Sequence, residues 1–410
     1  MVDCCPAFRD NKFYDQEGHG SRRHGGGGIM IRLEIVPHDP VIARDGRPFG
    51  SGQCHRMRCL EWLYPSVLAG SFRTLLGKKS SSDFDAETVK KLKGLSIFGP
   101  LLMRNGSPYF PAPKDIVVDE RSKCFAKRPF TLREKEYCDL PGESLLPTML
   151  LDPPEVDFKP KKIPAFWSLG RMSKWLTDYT STSFQIPENP GPETGFLDTI
   201  EHELRTHIKI CPEMGAVDPG KGLLFMTAGL ALPADTAITA LIQDYDSFAE
   251  VMQDLDALHP LGSERRLARW KTTTTGEWGC PSGIQELMEA NPKRIRMVLA
   301  TPGIFSCGWR PGWLDDSFCG QIPETGLKVR LLGACIERWR PISGWGLEKG
   351  SVGPKPVRRT VPAGSVYFFE VLHGAASCLP DLWLKSVCDE IQDRKDGFGL
   401  ALWGVWGNKK

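Results

Sequence analysis

The stretch GPKPVRRTVPAGSVYFFEV, residues 353–371, sets Lys355, Arg358 and Arg359 in a loop held by Pro354 and Pro356, directly ahead of a strand-like run. Proline lowers the entropy cost of ordering such a loop, so its cations can be held toward an anion. GSERRLARW (262–270) adds Arg265, Arg266 and Arg269 beside Trp270, guanidinium forks suited to phosphate next to a flat ring on which a base can stack. An edge strand protected by charge is the other reading of that segment. In ELRTHIKIC (203–211) alternation puts Arg205, His207 and Lys209 on a basic face and Leu204, Thr206, Ile208 and Ile210 on a core face. Charges at this spacing ordinarily form a solvated strand face.

Near the C-terminus, DGFGLALW (396–403) fails as a dinucleotide fingerprint, because Leu402 stands where the third glycine belongs and the glycines precede a strand. As the aromatic RNA-stacking motif of RRM domains, Gly397, Phe398 and Gly399 agree, but Asp396 replaces a basic residue and Leu400 an aromatic one. What remains is a glycine loop whose bare N–H groups could meet a phosphate, or an ordinary helix-to-strand turn.

These groups need strands and turns to hold them. A strand pattern begins at MIRLEIV (30–36), after a glycine-rich leader, residues 1–29, expected to be disordered, with Met30 as an alternative natural start. PSVLAGSFRTLLG (65–77) carries Leu68, Phe72, Leu75 and Leu76 at helical spacing, with Ser66 as N-cap and Gly77 as stop. DAETVKKLKGL (85–95) is a second helix, with Ser82 and Asp85 at capping-box spacing. Residues 106–165, crowded with proline, lysine and aromatics, read as hairpins and loops.

NPGPETG (189–195) marks a domain boundary, giving an N-terminal domain over 30–190 and a C-terminal one over 196–410. Beyond it, LRTHIKIC and LLFMTAGLAL can pair antiparallel across DPGKG (218–222). RRLARW, RMVLATPG, KVRLLGACIERW and SVYFFEV read as strands, and PDLWLKSVCDEIQ (380–392) as the last helix. Strands separated by two helices in each half predict an α+β chain of two ferredoxin-like (RRM-like) domains with glycine-rich loops and inserted hairpins.

The 52 Lys and Arg against 50 Asp and Glu leave a net charge of +2, so any basic site is local. Thirteen cysteines, an odd set with no CxxC pair, indicate neither a disulfide framework nor a zinc ribbon and fit a reducing cytoplasm. Cys54, His55 and Cys59 cluster without a second half, so no metal and no cofactor are expected. No apolar stretch approaches the roughly eighteen residues of a membrane span, and no membrane partner is expected.

The segments ISGWGLEKGSVGPKPVRRTVPAGSVYFFE, HPLGSERRLARW, ELRTHIKIC with GKGLLF, DGRPFGSG with PSVLAGSFRTLLG, and GFGLALWG occur in one order from about Met30 to Gly407. Together they resemble the RAMP-superfamily subunit of type III-B (Cmr) CRISPR effector complexes that caps the 5′ handle of the guide RNA. The resemblance implies two ferredoxin-like domains, recognition of the crRNA 5′ handle without cleavage, and contact with the polymerase-like large subunit and the backbone RAMP subunits. Target RNA would be met only indirectly. Carried over by position, the matching segments are 45–50, 66–73, 205–209, 265–269, 355–359 and 397–399, so Arg47, Ser66 and Arg73 join the candidate RNA contacts. Gly346 stands where an acidic residue after Gly-Trp is typical, and the leader has no family counterpart. A rival reading is a guide-processing endoribonuclease on the same fold with His207 or His373 as base. Another is an adaptor whose basic segments meet acidic protein surfaces.

Overall fold

The computed structural model describes residues 29–44, 56–80, 84–132, 137–140, 145–178, 184–217, 224–244, 248–274, 278–346 and 352–407. The leader, Arg47 with its motif, Cys54, His55, Ser82 and the DPGKG turn lie outside them.

The first part of the chain forms β1 (Ile29–Pro37), α1 (Pro65–Ser80), α2 (Ala86–Gly94), β2 (Ser96–Arg104), β3 (Ser107–Pro111), β4 (Ile116–Val118), β5 (Cys124–Pro129), β6 (Thr148–Leu150), β7 (Phe166–Ser168) and α3 (Leu169–Thr177). There follow β8 (Phe196–Leu197), β9 (Glu201–Ile208), β10 (Ile210–Cys211), β11 (Ala216–Val217), β12 (Leu224–Ala231), β13 (Thr236–Asp244), α4 (Ala249–Gln253), β14 (Asp256–Pro260) and β15 (Leu267–Thr273). The last part holds α5 (Ser282–Glu289), β16 (Arg294–Leu299), β17 (Cys319–Gln321), β18 (Lys328–Cys335), β19 (Arg340–Ile342), β20 (Trp345–Gly346), β21 (Gly353–Pro354), β22 (Arg358–Thr360), β23 (Val366–His373), α6 (Ile391–Asp396) and β24 (Ala401–Val405). The fold is a mixed α+β one, and its two large sheets are antiparallel throughout.

The first sheet runs β14-β15-β1-β13-β2-β3-β7-β8. The apolar stripe of α1 (Leu68, Phe72, Leu75, Leu76) packs with Leu33, Ile35 and Ile238 of the sheet in one buried cluster. Helix α1 starts two residues earlier than a Ser66 N-cap would place it, with Pro65 in the first turn, where a missing N–H costs nothing, so Ser66 lies inside the helix and does not cap it. It also runs through Gly77 to Ser80; a Cβ at Gly77 would stand 2.3 Å from the ring of Phe84, so that glycine serves close packing and not termination. Asp85 does cap α2, accepting from Thr88 N at 2.6 Å.

The 189–195 segment does not divide the sheets. Its 3-10 turn, Pro192–Thr194, leads into β8, which pairs with β7 at the edge of the first sheet. Strands β13 and β15, far beyond it in sequence, flank β1, with Leu33 opposite Ala240 on one side and Thr272 on the other. The second sheet, β17-β18-β23-β16-β24, begins only after β15 and α5.

The helix expected at 380–392 is absent. A 3-10 turn (Pro380–Leu382) leads into a turn in which Leu384 takes φ 58°, and then into a segment bridged through Ser386 to Leu400; the Leu384 and Val387 N–H groups bond to Ala401 and Gly399 carbonyls, and the short α6 comes after it. Leu384, Val387 and Cys388 are buried by this edge pairing, which gives the same apolar spacing a different cause.

Helix α3 joins the two sheets. Its Met172, Trp175 and Leu176 share one cluster with Phe110 and Trp167 of the first sheet and Met297, Phe368 and Trp403 of the second. Asp115, fully buried, accepts from Trp175 Nε1 (2.8 Å), Arg128 (2.8 Å) and Arg296 (2.7 Å), tying the loop after β3 to α3, β5 and β16. Burial, with Arg128 alongside, pushes the Arg296 guanidinium down to about 10.

Candidate nucleic-acid interface

Several of the sequence-selected groups hold the fold together. Trp270 is fully buried, stacks on Phe72 at 5.9 Å and donates to the carbonyl of His259, so no base can reach its ring. Phe398 is likewise buried, against Tyr64, Ile304 and Ile342. The loop N–H groups of Gly397, Phe398 and Gly399 are committed to the carbonyls of Arg394, Asp393 and Pro302, which withdraws them as phosphate donors. Gly397 adopts φ 93°, and a Cβ there would lie 2.4 Å from the carbonyl oxygen of Ile97 on β2. Its glycine serves close approach of the sheets.

Arg73 is spent on Asp396 (2.5 Å) and on the carbonyls of Leu92, Leu95 and Lys395, pinning α1 to α6. Arg358 grips the buried Asp393 with two bonds of 2.8 and 2.9 Å. Arg269 does the same to Asp256 at the exposed β14–β15 edge, the charge-protected edge that the alternative reading described.

The ribbon β9–β12 pairs as anticipated, but its apolar face is not core. Leu204, Ile208 and Leu224 are about half exposed, because this two-stranded ribbon stands outside both large sheets and only its base, at Ala228 and Leu230, is buried, against Val41, Ile42 and Met57. Arg205 pairs with Glu203, His207 stacks on Phe225 at 5.0 Å and bonds Thr227 Oγ1 at 2.8 Å, and Lys209 is exposed. Arg265 is exposed on a turn with φ 51°, and Arg266 is half-buried.

Exposed cationic and aromatic groups meet on the β19–β22 hairpin. Register places Arg340 opposite Thr360, Pro341 opposite Arg359 and Ile342 opposite Arg358. The Arg359 guanidinium lies over the half-exposed Trp339 ring at 4.9 Å from its centroid, and Lys355 is exposed, with its backbone N–H tied to Gly344.

This hairpin borders a cleft of about 1210 Å³ between the two sheets, floored by β3, β7 and residues 300–302 and walled by the base of the ribbon. Six cations line it, Arg56, Arg58, Lys114, Lys127, Lys162 and Arg340, against two carboxylates, Glu61 and Glu337. Both carboxylates are already ion-paired, to Arg340 at 3.6 Å and Lys114 at 2.9 Å. Leu204, Trp62 and Phe166 supply apolar wall. The chain is near neutral overall, and here its positive charge is concentrated in a groove that spans both sheets. None of these cations stands out individually in the sequence: Lys114, Lys127 and Lys162 are spread over 106–165 with no single motif, and only the density of lysine there gives a signal. On the far side of the hairpin a second pocket, about 760 Å³, is lined by Arg358, Arg359, Trp309 and Glu390 among others.

Among the described residues no helix is long and apolar enough to cross a membrane, and no group of three or more His, Cys, Asp or Glu could hold a metal ion.

No curated protein matches the chain. Among solved structures it aligns with "Cryo-EM structure of the Type III-B Cmr-beta bound to cognate target RNA", at a TM-score of 0.44 and 16% identity, covering 82% of this chain and 86% of that one. It also aligns with "Crystal structure of Csm3-Csm4 subcomplex in the type III-A CRISPR-Cas interference complex", at a TM-score of 0.36 and 12% identity, covering 83% of this chain and 93% of that one. The family described as CRISPR-associated protein (Cas_Cmr3) matches residues 33–406, nearly the whole chain. The chain therefore belongs to the Cas_Cmr3 family, the RAMP-type subunit toward which its ordered motifs point.

Proposed function

We propose that the chain is a non-catalytic subunit of a type III-B effector particle that holds the 5′ handle of the guide RNA in the cationic cleft and bridges the polymerase-like large subunit to the backbone subunits. The observation that carries this reading is the six-to-two excess of cations over carboxylates in a groove bordered on one side by Arg340, Pro341 and Thr360 of the β19–β22 hairpin. Lysine and arginine neutralise phosphates there, and the apolar wall accepts unstacked bases. A reading of two ferredoxin-like units is supported by the strand order β15-β1-β13-β2, with α1 after β1 and α4 after β13, and by the corresponding order β24-β16-β23-β18 in the second sheet, although no α-helix lies between β16 and β18. His207, on the β9–β12 ribbon, is engaged with Thr227 and Phe225, and His373 ends β23 in the second sheet, so the two histidines lie on different elements, which favours binding over cleavage.

Charge reversal at Lys127 and Lys162 together should weaken handle binding and flatten the log–log salt slope by about two, roughly one per lost phosphate contact. An unchanged slope would place the RNA elsewhere. Incubation with labelled repeat RNA in metal-free buffer should leave it intact; specific cleavage abolished by His207→Ala would make the protein an enzyme.

A further inference from the structure

The second pocket differs in chemistry from the cleft. Three cations line the pocket, Arg310, Arg358 and Arg359, against three carboxylates, Asp389, Glu390 and Asp393; Arg358 is matched to Asp393, and Asp389 accepts from Ser306 N, Ser306 Oγ and Gly312 N. A phosphate gains little inside such a site. Trp309 supplies a surface 37% exposed, backed by Phe318 stacked at 6.2 Å and fixed by the Tyr367 hydroxyl, which donates to the Trp309 carbonyl at 2.6 Å. Among the described residues Glu390 is the lining carboxylate whose side chain makes no hydrogen bond, and as the residue ahead of α6 it makes no side-chain cap. Thr360 lines the cleft while Arg358 and Arg359 line the pocket, so the two sites meet at adjacent strand positions, about 3.4 Å apart along β22.

We propose that this pocket reads one guanine base turned out of an RNA strand lying in the cleft, stacked on Trp309 and bound through its N1–H and N2–H donors by the two oxygens of Glu390. The inference rests on the RNA-binding reading above. A carboxylate has two acceptor oxygens and no donor, which matches the paired donors on the guanine Watson–Crick edge. Adenine presents an acceptor at N1, and uracil flanks its single N–H with two carbonyls, so both lose a bond and face repulsion. Arg359 stands at the crossing, where it can contact the phosphate of the turned-out nucleotide.

The test uses the full chain and short oligouridylates carrying one central guanosine, inosine or adenosine. Guanosine should bind about tenfold tighter than adenosine, with inosine, which lacks the N2 amino group, between them. Glu390→Gln should erase the ranking while leaving plain oligouridylate affinity unchanged, and Trp309→Ala should lower affinity for the guanosine probe alone. Equal binding of the three probes by the wild-type chain, or a ranking that survives Glu390→Gln, overturns the base-reading pocket and leaves the cleft intact provided oligouridylate still binds with a salt slope. Failure to bind oligouridylate at any salt concentration removes both.

Discussion

Arg358 and Arg359 are neighbours in sequence with opposite tasks. Strand alternation turns the first inward onto Asp393, only 4% exposed, and the second outward over Trp339. Removing the first leaves a buried carboxylate without its partner. Arg358→Ala should therefore cost about 1–3 kcal/mol in denaturant unfolding, less than a fully buried pair because Arg358 itself is half exposed. Arg359→Ala should leave stability within about 0.5 kcal/mol and lower RNA affinity in the same preparation. Equal loss of stability in the two variants would contradict the division. The sequence shows both arginines as phosphate candidates, because residue type records charge but not which strand face looks inward. That face is set by pairing with Pro341 and Ile342, and only the register reveals it. Trp270 taught the same lesson: beside three arginines it resembles a stacking platform, while the alternation of β15 sends it under α1.

At the level of elements, glycines in this chain mark where backbones meet. Gly397 closes α6 in the left-handed region and lies against β2, and Gly404 on β24 faces the Leu176 carbonyl of α3, where a Cβ would come within 2.6 Å. Gly397→Ala combines an unfavourable φ with a collision against backbone that cannot step aside. It should destabilise by at least about 1–3 kcal/mol, measured by thermal unfolding. Handle affinity, compared at a temperature where both proteins are folded, should be unchanged; a selective loss of RNA binding at full stability would return the loop to the interface. The turn itself was legible as a helix-to-strand glycine loop. Its partner was not, since the Ile97 carbonyl it touches is three hundred residues away in sequence. The segment before it misleads for a related reason: Leu384, Val387 and Ile391 recur at helical spacing, yet the N–H groups of Leu384 and Val387 find acceptors on the approach to β24, so edge pairing replaces the helix that periodicity predicts.

Across the whole molecule, strands were readable where alternation or apolar runs were strong, as in β1, β16, β18 and β23, whereas the grouping of strands was not. Nothing local in β13 or β15 says that they return to flank β1. The sheets are instead held together by contacts distant in sequence, and the Asp115 cluster is their most exacting one. Two guanidiniums, Arg128 and Arg296, share a single carboxylate where none of the three is more than 4% exposed. Trp175 bonds the other carboxylate oxygen and lies 5.5 and 5.2 Å beneath the two cations. Asp115→Ala would leave two like charges facing each other in the interior, and should cost about 3–5 kcal/mol, read from the midpoint of denaturant unfolding. If the cost arises from uncompensated charge, adding Arg296→Met to Asp115→Ala should restore part of the stability, so that the double variant is more stable than the sum of the single losses predicts. Strict additivity would mean that the cluster contributes packing alone and that α3, not the ion pairs, unites the sheets that form the cleft.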